Sequence, residues 1–232
     1  MDIAYMGILL LTFFLMIYLG WRAVPMLVVA LVPNQIRARF LDTAEVGRII
    51  AAAPSVQAKL ADLHALDFRV LGILAERIWW RRPVLEVVMT SAEKSTFAAI
   101  VLTPSGKAAG VYFYTPIAGG GLVFTRSRSM LPEMETENTS VKNVPGAAVD
   151  RLWTSHQRRL QALRERGQRP LSVADQAARL AAVQAYYTSA YARRTRRLFL
   201  RSTPVVNFLL VTGLLLAIIA IYFWRVATAS QP

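Results

Sequence analysis

The 232-residue chain has room for one soluble domain and a little more, and its 55% hydrophobic content is concentrated at the two ends. Its formal net charge of +13, mainly from arginine, points to an anionic membrane surface, an acidic partner or nucleic acid. The lack of cysteine excludes disulfides, iron–sulfur clusters and thiolate chemistry, and only two histidines, His64 and His156, are left as ligands or bases.

Residues 3–20 are apolar and uncharged, preceded by Asp2 and followed by Trp21 and Arg22. A cleaved leader would carry a basic segment ahead of its apolar run, so this stretch reads as a retained membrane helix with its N-terminus outside. The apolar segment between Pro25 and Pro33 is too short to span alone. It either lies along the interface or continues a long tilted helix. Residues 1–33 therefore make up an N-terminal membrane region.

From Asp42 to Ala53 a short helix is expected, with Asp42 or Thr43 as N-cap and Val46, Ile49 and Ile50 inward. Pro54 restarts a second, on which Val56, Leu60 and Leu63 keep helical spacing and His64 reads as a surface or partly buried helix residue. The period then changes. Residues 84–89, 97–102, 111–114 and 122–125 are rich in β-branched and aromatic side chains and are joined by short turns. Either 68–71 or 76–79 adds a fifth strand. Antiparallel hairpins follow from such connections. Residues 130–144, with Pro132 and three glutamates, read as a long connection that drapes over the sheet or touches a basic surface.

Residues 145–167 form a helix whose apolar stripe is Val149, Leu152, Trp153, His156, Leu160 and Leu163. Ser172 is the expected N-cap of a last helix, with Asp175 in the capping-box position. This helix runs through Val183, Tyr187 and Tyr191 to the cluster Arg193, Arg194, Arg196, Arg197 and Arg201, with a bend at Pro204. Residues 205–224 then carry no charge, and twenty apolar residues cover a hydrocarbon core of roughly 30 Å. Of the 27 basic residues only Arg22 and Arg225 lie outside residues 34–202. The positive-inside rule thus leaves both termini outside and residues 34–202 in the cytoplasm.

No catalytic signature is present. Ser155 and His156 are adjacent on a helix and point apart, without a nucleophile elbow. Gly106-Lys107 lacks the glycine and hydroxyl of a phosphate loop, since positions 101 and 108 are Val101 and Ala108. With strand rather than helix following, both glycine stretches are turns. Two interface features remain. Trp79, Trp80, Arg81 and Arg82 either suit the headgroup region or end a strand with one ring buried, and the arginine cluster at 193–201 suits anionic lipid. Gly213, Ala217 and Ala220 give the second span a small-residue face for close packing on the first span or on a neighbouring subunit.

The runs Leu-His-Ala-Leu-Asp-Phe-Arg-Val-Leu-Gly (63–72) and Arg-Leu-Trp-Thr-Ser-His-Gln-Arg-Arg (151–159), with the hairpins between, resemble a type of uncharacterised bacterial membrane-anchored protein over roughly residues 55–165. The resemblance implies no activity. The expected architecture is α+β. Two transmembrane helices bracket a cytoplasmic domain (34–202) of four- to five-stranded antiparallel sheet, the second span lying in residues 203–232. The expected role is a non-catalytic accessory or scaffolding subunit of a larger complex in a bacterial inner membrane, an electron-transfer assembly being one class. Its partners would be integral membrane subunits and anionic lipids, without a cofactor and without nucleic acid. The alternative is a membrane-anchored sensor that binds a small ligand in its sheet.

Overall fold

A computed structural model describes residues 3–31, 36–51, 53–78, 82–128 and 132–229. The chain divides into two compact units, residues 34–195 and residues 1–33 with 196–232.

The first unit is α+β. Its strands are β1 (Ile36–Phe40), β2 (Arg69–Ile78), β3 (Val84–Thr90), β4 (Phe97–Leu102), β5 (Ala108–Ile117), β6 (Gly121–Arg126), β7 (Met134–Glu135) and β8 (Thr139–Asn143). They form one eight-stranded sheet in the order β1-β2-β3-β4-β5-β6-β8-β7. The pairs from β1 to β6 are antiparallel, joined by short connections from β2 onward and by two helices between β1 and β2, whereas β8 returns beside β6 in parallel. The sheet is therefore larger than four or five strands, and it is mixed.

Two features explain the difference. The strand candidates at 68–71 and 76–79 belong to one strand, β2, interrupted by a bulge between Val70 and Gly72. Gly72 sits at φ 145°, where a side chain would also meet the Phe40 ring and the Gln176 amide. The amide nitrogen of Gln176 donates to the Leu71 carbonyl at 2.7 Å, so the bulge is capped from outside the sheet. The stretch expected as a connection, 130–144, contains β7 and β8. Polar Thr-Ser-Val-Lys-Asn carries little hydrophobic signal, and the parallel pairing is permitted by Gly121, whose missing Cβ would lie 2.1 Å from the Asn138 carbonyl oxygen.

Helices cover both sheet faces, which is why β4 and, apart from Glu86, β3 read as apolar runs rather than alternating ones. On one face Ile73, Val87, Ile100 and Phe113 pack under α2 (Thr43–Ala51), α3 (Pro54–His64) and α4 (Val149–Glu165). His64 is exposed, and its Nδ1 donates to the Phe68 carbonyl at 2.9 Å to close the turn after α3. On the other face Leu74, Val88, Phe97, Tyr114 and Leu122 pack under α5 (Gln176–Thr188).

The expected single last helix is three. Asp175, not Ser172, is the N-cap of α5, its carboxylate accepting from the Ala178 amide at 2.8 Å. Ser189 leaves helical geometry, and its hydroxyl donates to the Tyr186 carbonyl while accepting from the Ala192 amide. One serine thus closes α5 and opens α6 (Ala190–Leu200). A turn at Arg201 and Ser202 precedes α7 (Thr203–Ala229), where Pro204 occupies the first turn and sacrifices no helical hydrogen bond.

In the second unit α1 (Ile3–Leu31) runs through Pro25 without interruption, so the segment after Pro25 continues the helix. Met6–Val28 and Thr203–Trp224 are long and apolar enough to cross a membrane, with only 17% and 11% of those stretches buried. Such exposure is wrong for the core helix of a soluble protein. The helices meet where Gly20 leaves room for the Phe208 ring, 3.1 Å from where a Cβ would stand, and Ala23, Val205 and Leu215 are buried. Gly213, Ala217 and Ala220 are exposed, and nothing lies within 4 Å of a Cβ built on Gly213.

Candidate ligand-binding site

The α5 face of the sheet is not filled. A cavity of about 210 Å³ lies between it and α5. The sheet contributes Glu76 from β2, Glu86 from β3, Val101 from β4, Val111, Tyr112 and Tyr114 from β5, and Phe124 and Arg126 from β6. Helix α5 contributes Arg179, Val183, Tyr186 and Tyr187, residues spaced to share one face.

Arg179 is the centre of the polar wall. It is 4% exposed, and its Nη2 donates to Glu86 Oε2 at 3.2 Å and to the Tyr112 hydroxyl oxygen at 2.7 Å. The Tyr112 hydroxyl in turn donates to Glu86. The guanidinium also lies over the rings of Phe97 and Tyr114, at 5.4 and 5.8 Å. Burial opposes its charge, and Tyr112, Glu86 and Glu76 more than offset that, so it stays protonated. Its Nε is buried with no hydrogen-bond partner.

Arg126 stands across the ladder from Tyr112. It is 7% exposed. Its Nε donates to Asn143 Oδ1 at 2.7 Å and its guanidinium lies 5.3 Å from the Phe124 ring centroid, beside the Tyr191 hydroxyl. Its Nη2, like the Arg179 Nε, is buried without a hydrogen-bond partner. Buried polar groups are ordinarily satisfied, so two such guanidinium groups lining one cavity call for an explanation.

Glu76 is half-buried and accepts from the Tyr187 hydroxyl at 3.0 Å. Burial, then the charge of Glu86, push its pKa up to about 7, against the opposing pull of Arg179 and the Tyr187 hydrogen bond. Burial likewise raises Tyr112 and Tyr187 far above their usual range and Tyr114 to about 12, so these hydroxyls remain donors at neutral pH. Arg128 lies exposed at the mouth, folded across Gly110, where a Cβ would come within 2.9 Å of its Cδ.

No family model, curated protein or solved structure matches this chain. Its chemistry has to be read from its own residues. Among the described residues no three histidines or carboxylates converge as a metal site. The site has hydrogen-bond donors, aromatic walls and a carboxyl group poised near neutrality, the combination that marks functional cavities.

The interface residues expected from sequence lie elsewhere. Arg193, Arg194, Arg196 and Arg197 are on α6 and Arg201 follows it, all but Arg196 being exposed. Trp79, Trp80 and Arg81 fall outside the described residues. Arg82 is exposed beside a second cavity, of about 700 Å³, between α2 and the turn at residues 103–106. His156 is fully buried on the opposite sheet face, held by the Thr115 and Thr125 hydroxyls at 2.9 and 3.1 Å and stacked on Trp153. Burial, with help from Arg159, lowers its pKa to about 3, so it is a neutral core residue.

Sequence reasoning missed the pocket residues, although a signal existed. Glu86 interrupts the apolar run of β3, and Arg179 stands four residues before Val183 on the inward side of α5. A charge on a buried face needs either a partner or a ligand.

Proposed function

We propose that this chain is a membrane-anchored receptor for a small ligand bound between the sheet and α5. The observation that carries this reading is the pair of buried arginines, Arg126 and Arg179, that lines the cavity, each with one guanidinium nitrogen lacking an acceptor. Each unsatisfied buried donor costs about 1–3 kcal/mol, which a ligand carrying acceptors would recover. The exposed apolar helices supply the anchor. The charge distribution supports a bacterial inner-membrane topology with both termini outside and the sheet unit in the cytoplasm.

The test is a ligand screen on the full chain in lipid nanodiscs, read by the unfolding temperature and by amide exchange of the sheet unit. A ligand at a hundred times its Kd should stabilise the folded state by about 2.7 kcal/mol, with protection gained in α5 and β5. If every compound class leaves both readouts unchanged, the cavity is a packing defect and the reading fails.

A second reading, an accessory subunit of a larger complex such as an electron-transfer assembly, is favoured by the exposed small-residue face of Gly213, Ala217 and Ala220. Stoichiometric co-migration with integral membrane subunits after mild-detergent extraction would support it. A particle containing this chain alone would remove it.

A further inference from the structure

Granting that the cavity is a ligand site, we propose that its ligand is a small aromatic monocarboxylate, its carboxylate between Arg126 and Arg179 and its ring against Tyr112, Phe124 and Tyr186.

Charge supports an anion of one unit. Three guanidiniums (Arg126, Arg128 and Arg179) line the cavity against two carboxylates. Glu86 is already committed to Arg179 and Tyr112. With Glu76 only partly ionised near pH 7 the wall carries an excess positive charge that an anion of one unit reduces. A phosphate dianion would bring its second charge close to Glu86 and oppose the ionisation of Glu76. A cationic ligand would meet two buried arginines.

Donor geometry supports an oxyanion with two oxygens. Arg126 is held by Asn143 and by the Phe124 face, and its Nη2 has no acceptor. Arg179 spends Nη2 on Glu86 and Tyr112 and keeps Nε. Both arginines are ordered against the same residue, Tyr112: Arg126 as its cross-strand neighbour, Arg179 as its hydrogen-bond partner. One carboxylate can accept from both, in the charge-assisted manner that suits arginine.

The walls and the size specify the rest. Phe124 lies 5.0 Å from Tyr112 and 6.1 Å from Tyr186, ring centre to ring centre, with Val101 and Val183 completing an apolar lining. A cavity of about 210 Å³ holds a ring with a short acid side chain. Drug-sized ligands and nucleotides occupy larger pockets, about 300 Å³ and more.

The experiment is calorimetric titration of the full chain in nanodiscs with benzoate, phenylacetate and indole-3-acetate, with phenylacetamide and inorganic phosphate as comparators. At least one acid should bind, and phenylacetate should bind ten or more times tighter than phenylacetamide. Arg126→Gln should erase that preference by weakening the acids far more than phenylacetamide, while Arg126→Lys should retain part of it. Arg128→Gln, at an exposed position with no burden on folding, should weaken the acids severalfold. Equal binding of acid and amide, or tighter binding of phosphate, would overturn the carboxylate assignment and leave the receptor reading standing. If neither the acids nor the amide bind to wild type, the assignment is overturned, and the absence of any ligand in the broader screen would take the receptor reading with it.

Discussion

Glu76→Gln replaces a carboxyl group by a neutral amide of the same shape, whose oxygen still accepts from Tyr187. In the folded chain the carboxyl titrates near 7 instead of 4.5, so below pH 4.5 both states are protonated and the substitution is nearly neutral. As pH rises from 4.5 to 7 the unfolded chain releases its proton while the folded chain retains it. Stability is therefore lost across that window and is flat above it. The full shift corresponds to roughly 3 kcal/mol at about 1.4 kcal/mol per pH unit. Glu76 is only half-buried, and solvent screening reduces the expected effect to about 1–2 kcal/mol. The groups facing it are Glu86 on β3, Tyr112 on β5, and Arg179, Tyr186 and Tyr187 on α5. Urea unfolding of the full chain, followed by the near-ultraviolet circular dichroism of the buried tyrosines, should show wild type and variant together at pH 4.5. The variant should be the more stable by about 1–2 kcal/mol at pH 8. A variant less stable than wild type at pH 8 would refute the reasoning, because it would mean that Arg179 holds Glu76 as a useful anion.

His156 predicts the opposite slope. Its folded pKa lies near 3, so stability is intact above about pH 6.5 and falls by up to roughly 1.4 kcal/mol per unit below it. In the Glu76→Gln background, urea midpoints should fall as pH drops from 6.5 to 4, and adding His156→Gln should flatten that dependence while lowering stability at neutral pH. Gly121→Ala should cost several kcal/mol, on the order of a severe core defect, although its backbone angles suit any residue, because the added methyl would strike the Asn138 carbonyl. Gly213→Ala should leave the melting temperature of the purified chain within about a degree, corresponding to a surface change under roughly 0.5 kcal/mol. The natural lack of cysteine permits single-cysteine labelling: in intact cells an impermeant maleimide should label Ser230→Cys and spare Ser105→Cys, and the reverse pattern would invert the proposed topology.

What could be read from sequence was what local periodicity encodes. The α4 stripe of Val149, Leu152, Trp153, His156, Leu160 and Leu163 packs inward as its spacing requires, all buried but the half-buried Trp153, and the uncharged stretches at both ends are helices of spanning length. The central strands carried their own turn chemistry. What was hidden depends on contacts distant in sequence. β8 is a strand because it lies beside β6, and Gly121 makes that approach possible from seventeen residues before Asn138. The pocket was hidden for the same reason: Glu76, Glu86, Arg126 and Arg179 come from four elements spread over a hundred residues, and each alone looks like an ordinary surface charge.

The bulge in β2 sets the charge balance of the cavity. Side chains alternate along a strand, so one residue absorbed out of the ladder changes which face every later residue meets. Val70 pairs with Met89, which belongs to the core under α2, α3 and α4, Leu71 is the extra residue, and from Gly72 onward the pairing with Val88 turns even-numbered positions toward α5. Were Leu71 paired in an ordinary ladder, Glu76 would enter the apolar core under α2 and α3, and the cavity would lose one of its two carboxylates. The Gln176 side chain that caps Leu71 begins the helix carrying Arg179. A single amide hydrogen bond therefore keeps the strand that delivers the acid in step with the helix that delivers the base.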